Sequence, residues 1–211
     1  MPSATRSRSD IKREAIINAA TQAFQEFGVN GTTMDKLAEL ANVSKRTVYN
    51  HFSTKEDLVM YLIKAQWQNA LLNVNVVFDE HSPLFEQLEV MLLADIEFMS
   101  GESHLELARV AIGHFFYEPE KLKDEVQQLK AQESSMHKWL NSAKKSARID
   151  CDNVQHVVDE IDSLVKGQCF WPQLFKIEPP LSRAEKKRIA GGIARLILCR
   201  YEAQSKQSSG Q

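Results

Sequence analysis

Between Thr33 and Phe52 the chain sets two short apolar faces on either side of one turn, and so compact a pattern fits few folds. Thr33 stands where its hydroxyl can accept a free amide two or three residues on, and Leu37, Ala38, Leu40 and Ala41 then give one face of a short helix. Asn42 is a residue type tolerated in the left-handed region, which suits a tight turn. Ser44 caps a second short helix, Lys45 to His51. Val43, Val48 and Phe52 are the residues that fix the pair in a small core. Two short helices joined by a tight turn are the expectation.

The flanks extend this pattern. Ile11, Ala15, Ile16, Ala19, Ala20, Ala23, Phe24 and Phe27 recur in steps of three and four, which predicts a helix from about Ser9 to Phe27, ended by Gly28. Downstream, Ser53-Thr54-Lys55-Glu56 reads as a capping box, Ser53 capping forward and Glu56 reaching back. A longer helix follows through Leu58, Leu62, Ala65 and Leu72. Beyond Phe78 the helical period continues with no convincing two-residue alternation, so the chain reads as all-α. Candidate helices are Pro83 to Ser100, Ser103 to Tyr117, Pro119 to about Ala147, Asp152 to Trp171, and Ser182 to Gln204. Pro119 suits a first helical position, Pro172 and Pro179-Pro180 interrupt, and Ser182 with Glu185 forms a second capping box. The polar tail from Ser205 reads as frayed.

Composition narrows the function classes. A hydrophobic fraction of 43% and a charged fraction of 26% belong to a globular chain. The longest apolar runs, Val90 to Leu93 and Ile193 to Leu198, fall far short of the roughly 20 residues that a membrane span requires. No apolar stretch follows the basic N-terminus, so no secretory signal is read and a cytoplasmic protein is expected. Cys151, Cys169 and Cys199 are odd in number and widely spaced, which reads as buried, reduced thiols. The net charge is −2, yet Arg6, Arg8, Lys12 and Arg13 stand against Asp10 alone, giving the arm from Arg6 to Arg13 a charge of +3. Such an arm fits a DNA-facing N-terminus, and it equally fits a solvated tail. Nucleophile-elbow, zinc-protease, phosphate-loop and dinucleotide signatures are absent from the sequence, and the histidines show no ligand spacing, so neither catalysis, metal nor cofactor is expected.

Thr33 to Phe52, followed by Ser53-Thr54-Lys55-Glu56-Asp57-Leu58, closely resembles the DNA-binding region of the TetR/AcrR family. The resemblance lies in the Thr cap, the Leu-Ala pair, the Ala-x-Val-Ser turn, Thr-x-Tyr-x-x-Phe and Lys-Glu-x-Leu, and it covers roughly residues 9 to 60. Asn42 departs from the family, where Gly is usual, and Arg46 stands where a small residue is frequent. The resemblance implies a DNA-binding domain over residues 1–53, a larger helical ligand-binding and dimerisation domain over 54–204, and a flexible tail over 205–211. In a helix-turn-helix the second helix enters the major groove while flanking groups hold phosphates. Thr33, Tyr49, His51 and Lys55 are accordingly assigned to phosphates, and Lys45, Arg46, Thr47 and Asn50 to bases. Lys36 and Ser44 complete the expected DNA-binding set. Taken singly, Lys45 and Arg46 also read as ordinary surface charges and Tyr49 as a packing aromatic.

The larger domain is less informative. The family implies a ligand pocket there, for which Trp67, Phe98, His114, Phe115, Phe116, Trp139, Phe170 and Trp171 are candidate lining residues, with plain core the competing reading for each. It also implies a dimer through the last two long helices, whose apolar residues include Val157, Val158, Ile161, Leu164, Ile193, Leu196 and Ile197. The expected function is a bacterial repressor on the nucleoid. It binds a pseudo-palindromic operator in double-stranded DNA as a homodimer and is released by a small-molecule effector, with no membrane partner. The alternative is a structural, nucleoid-associated DNA-binding protein without an inducer.

Overall fold

Ser7 begins the first helix: its hydroxyl accepts from the Asp10 amide at 3.1 Å while the Asp10 carboxylate accepts from the Ser7 amide, also at 3.1 Å. This reciprocal cap satisfies two amides that would otherwise lack partners, and it moves the start ahead of the expected Ser9. The computed structural model describes residues 7–73, 77–115, 123 and 133–203, and the side chains at 67, 69–73, 114 and 115 lie outside that description. Helix α1 spans Arg8–Gly31. Gly28 breaks it as expected, at φ 70° and ψ 163°, a backbone state that glycine adopts without a Cβ penalty. Helical bonding then resumes as far as Gly31, where the buried Thr32 hydroxyl donates to the Gly28 carbonyl at 2.9 Å.

Helices α2 (Met34–Leu40) and α3 (Lys45–His51) follow, as the sequence predicts, and α4 is Lys55–Asn73. The expected capping box at α4 is displaced by one residue. Thr54 and Asp57, not Ser53 and Glu56, exchange the two bonds, each at 3.0 Å, because they carry the same three-residue spacing in register with a helix that starts at Lys55. Ile16, Ala20, Phe24, Leu37, Val48, Phe52, Leu58 and Leu62 close a core with Leu107 and Ala111 of α6 (Glu102–Phe115). Met1–Trp67 with Glu102–Leu129 accordingly forms one compact unit, and Gln68–Gly101 with Lys130–Gln211 a second. This partition differs from a single cut after residue 53, since α6 packs on α1 despite its distance in sequence.

In the second unit α5 (Leu84–Met99) lies along α10 (Arg183–Tyr201), burying Leu84, Leu88, Leu92 and Ile96 on one side and Ile189, Ile193 and Ile197 on the other. Trp139, on α7 (Ser135–Lys145), is 1% exposed. Its indole N–H donates to Gln87 Oε1 at 3.1 Å, and Gln87 Nε2 donates to the carbonyls of Asp79 and Ser82. A single glutamine thus ties the Asp79–Ser82 loop to α7.

Four expectations need correction here. A single helix from Pro119 to Ala147 is replaced by a separate α7, because Ser134 caps the His137 amide at 3.2 Å and so starts a new helix; Pro119 itself lies outside the described residues. Asp152 to Trp171 becomes α8 (Val154–Val165), capped by Asn153, then a π-helical turn at Lys166–Phe170 and the short α9 (Trp171–Leu174). Pro172 does not interrupt, since it sits in the first turn of α9, where a missing N–H leaves no bond unmade. Cys151 and Cys169 are buried as expected, but Cys199 is exposed because the α10 face that carries it points away from the protomer's core. Ser182 and Glu185 do form the expected capping box. After α10, Glu202 pairs with Ile149 in an isolated antiparallel bridge, and the 205–211 tail lies outside the described residues.

Candidate nucleic-acid interface

The turn between α2 and α3 is set by Asn42, at φ 51°, a left-handed backbone that asparagine tolerates and β-branched residues resist. Asn42→Val should cost about 1 to 2 kcal/mol through that backbone, whereas Asn42→Gly should be neutral or mildly stabilising. Thermal unfolding of the two variants checks this; equal melting temperatures would remove the turn from the account.

On the far side of the turn, the Ser44 hydroxyl accepts from the Thr47 amide at 3.1 Å and shares a 2.8 Å hydrogen bond with the Thr47 hydroxyl. Val48, wholly buried, then fixes the rotation of α3. With that side inward, positions 45, 46, 49 and 50 share the opposite face, and Lys45, Arg46, Tyr49 and Asn50 are all exposed. Thr47 and His51 are half-buried at its border.

On α2, Thr33 Oγ1 accepts from the Lys36 amide at 3.2 Å, which leaves its own O–H free to donate outward. Lys36 pairs with Glu39 at 3.3 Å. Lys45 pairs across the turn with Asp35 at 2.6 Å; that hydrogen bond first, and the carboxylate's charge second, raise its pKa and keep it cationic. Such an exposed pair is readily exchanged for another anion. Arg46 has no ion pair among the described residues. Lys55, assigned to phosphate, donates to the carbonyls of Val29 at 2.9 Å and Thr32 at 3.2 Å, satisfying the end of α1. An ammonium has three donors, so one remains for another acceptor. Nearby Arg13, counted in the basic arm, lies 4.2 Å from the Tyr61 ring centroid and 5.0 Å from that of Phe52; Arg6 lies outside the described residues.

Among the described residues, the aromatic side chains expected to line a pocket occupy different settings. Trp139 is sealed into the core against Phe78, with no surface left for a ligand. Phe98 is half-buried on α5. Phe170 and Trp171 meet edge to face at 4.9 Å, and Trp171, 43% exposed, stacks on Phe175 at 6.1 Å. Phe116 and the side chains of Trp67, His114 and Phe115 lie outside the described residues.

Between α8 and α10 runs an open groove of about 700 Å³, with Leu164, Leu196 and Ile197 in its wall. Glu160 braces it: its carboxylate accepts from Arg200 and from the Tyr201 hydroxyl, each at 2.9 Å. Of the apolar residues read as a dimer face, Val157, Ile161, Ile193 and Ile197 are buried in the protomer's own core. Leu196 is the large apolar side chain that α10 leaves outside, at 60% exposure, with Cys199 and Arg200 beside it at helical spacing.

Residues 16–62 match the profile described as bacterial regulatory proteins of the tetR family. Residues 86–203, more than half of the chain, match that of the AefR-like transcriptional repressor C-terminal domain. The chain belongs to the TetR family. A TetR-family transcriptional regulator from Pseudomonas syringae pv. tomato has a crystal structure that superposes with a TM-score of 0.70 at 32% identity, covering 92% of this chain and 98% of that one. Among curated proteins, the uncharacterised regulator YhgD of Bacillus subtilis is 33% identical over 87 residues, 41% of this chain and 46% of that protein. The nucleoid occlusion factor SlmA of Vibrio vulnificus is 28% identical over 125 residues, 58% of this chain and 63% of that protein. The alignments thus span about half to two thirds of these two relatives.

For this TetR-family chain, two features of the site escaped the sequence. Lys55 reads as a phosphate ligand from its place at a helix start, and nothing local signals that the end of α1 folds back onto it. Asp95, by contrast, carries a legible signal: it is a lone charge among Met91, Leu92, Ile96 and Met99 on the apolar face of α5.

Proposed function

We propose that this chain is a homodimeric, sequence-specific DNA-binding repressor whose operator affinity is lowered by a small molecule bound in the second unit. The observation that carries the reading is the exposed face of α3, where Lys45, Arg46, Tyr49 and Asn50 stand together while Val48 locks the helix to its core. Arg46 and Asn50 supply donors suited to guanine and adenine edges, while Thr33, Tyr49, His51 and the remaining donor of Lys55 suit phosphates. Lys36, Ser44, Lys45 and Thr47 complete the contact set. The protein acts on the nucleoid in the cytoplasm, and no catalytic step is part of this reading. Helix α4 offers a route for the effector signal, because its residues to Trp67 fall in the first unit and those from Gln68 in the second.

Arg46→Ala tests the reader assignment. It should relax base preference at one operator position and cost about 1 to 3 kcal/mol there, leaving binding to unrelated duplexes nearly unchanged. An unaltered preference after selection from randomised DNA rules Arg46 out as a reader. The similarity to a nucleoid occlusion factor supports one second reading, a DNA-organising protein without an inducer. Genome-wide mapping separates the two: dispersed sites favour organisation, and a few sites near genes favour regulation.

A further inference from the structure

Asp95 is hard to account for as a structural residue. It sits on the inward side of α5, flanked at helical spacing by Met91, Leu92 and Met99, which are 1%, 0% and 5% exposed. No hydrogen bond or ion pair reaches its carboxylate among the described residues. A half-buried carboxylate set among buried apolar side chains, with no protein partner, is held there at a cost in solvation. The side chain nevertheless keeps part of its accessible surface, so it borders space and is not sealed in packing. Burial pushes its carboxyl up to about 7, and the negative charge of Asp162 on α8 adds to the shift. Asp162 itself is neutralised by Lys166 at 2.5 Å. When Asp95 loses its proton it therefore adds a negative charge beside an Asp162 that Lys166 already pairs.

The surrounding backbone fits a recognition site. Lys166 opens the π-helical turn Lys166–Phe170, which packs against α5 directly after Asp162. Such turns are frequent at functional sites. Ile161 and Val165, 2% and 3% exposed, supply apolar surface on either side of Asp162.

We propose that Asp95 anchors the positively charged head of an amphipathic small molecule, an amine on an apolar body, inside the second unit. The cation supplies the partner that the protein withholds, and the half-buried Phe98, three residues on from Asp95 along α5, offers surface to the apolar body. This rests on the reading of the second unit as the effector-binding part. It adds to that reading the charge class of the ligand and the residue that selects it.

Calorimetry on the full chain at pH 8, with octylamine and octanoate as probes of equal length, tests the assignment. Octylamine should bind at least about tenfold more tightly than octanoate, as expected of a charge-assisted bond in an apolar setting. Asp95→Asn should remove about that factor, and Glu97→Gln, on the exposed side of the same helix, should stay within about twofold of the parent. Without ligand, Asp95→Asn should melt at the same or a higher temperature than the parent, because an unsatisfied carboxylate has been removed. Equal affinity for the two probes, no binding of octylamine, an unchanged affinity in Asp95→Asn, or a clear drop in its melting temperature would each overturn the proposal. Octylamine bound through Asp95 with no effect on DNA affinity would sink the sensor reading and leave the site standing.

Discussion

Leu196→Glu should convert the protein from dimer to monomer and lower operator affinity by about 100-fold or more. The substitution is benign within a protomer, because Leu196 is 60% exposed and makes little of the core that Ile193 and Ile197 form beneath it. In a dimer that pairs the groove between α8 and α10 with its twofold mate, it buries two carboxylates in an apolar seam beside Leu164. A lone recognition helix binds weakly, and joining two half-sites commonly multiplies affinity by about 10²- to 10⁴-fold, so losing the dimer forfeits that factor. Cys199, one turn on from Leu196, is a built-in reporter. It is exposed in the protomer while Cys151 and Cys169 are buried, so a maleimide should label it slowly in the parent and rapidly in the variant. A variant that sediments as a dimer, with Cys199 still protected, would contradict this use of α8 and α10.

Trp139→Ala should destabilise the second unit by about 3 to 5 kcal/mol, the usual cost of emptying a fully buried indole site. Two losses combine: the ring's packing against Phe78 at a centroid distance of 5.9 Å, and the hydrogen bond to Gln87. Trp139→Phe separates them, keeping most of the volume and losing only the bond. Gln87 Oε1 still accepts from the Asp79 amide at 2.9 Å, so the glutamine is not stranded and the cost should be about 1 kcal/mol. Urea unfolding followed by circular dichroism measures both. Trp139 was also a candidate pocket residue, and an alanine variant of unchanged stability would restore that role.

The helix-turn-helix was legible because its signals are local. Thr33 and Ser44 cap, Asn42 turns, and the apolar period reports which side of each helix is buried, all within a few residues of the structure they specify. The same locality explains the failures. Periodicity identified Val157, Ile161 and Ile193 as apolar but could not say whether they face the protomer's own core or a second copy, because the pattern is the same for both. The bonds of Lys55 to Val29 and Thr32 escape a local reading because they depend on a chain reversal 23 to 26 residues earlier. Helix α6 joined the first unit through contacts with α1 that no sequence window spans. The π-helical turn after Val165 lies inside the helix expected from Asp152 to Trp171, and the apolar period alone does not mark its change of register.

Selection of randomised duplex DNA by the purified full-length chain, followed by sequencing and mutagenesis of the enriched site, tests the central claim most directly. The account predicts an inverted repeat whose half-sites are centred about one helical turn apart, or a multiple of it, with loss of one half-site weakening binding far more than a twofold statistical factor. Recovery of duplexes with no common sequence, or of a single unrepeated site bound by a monomer, would contradict it.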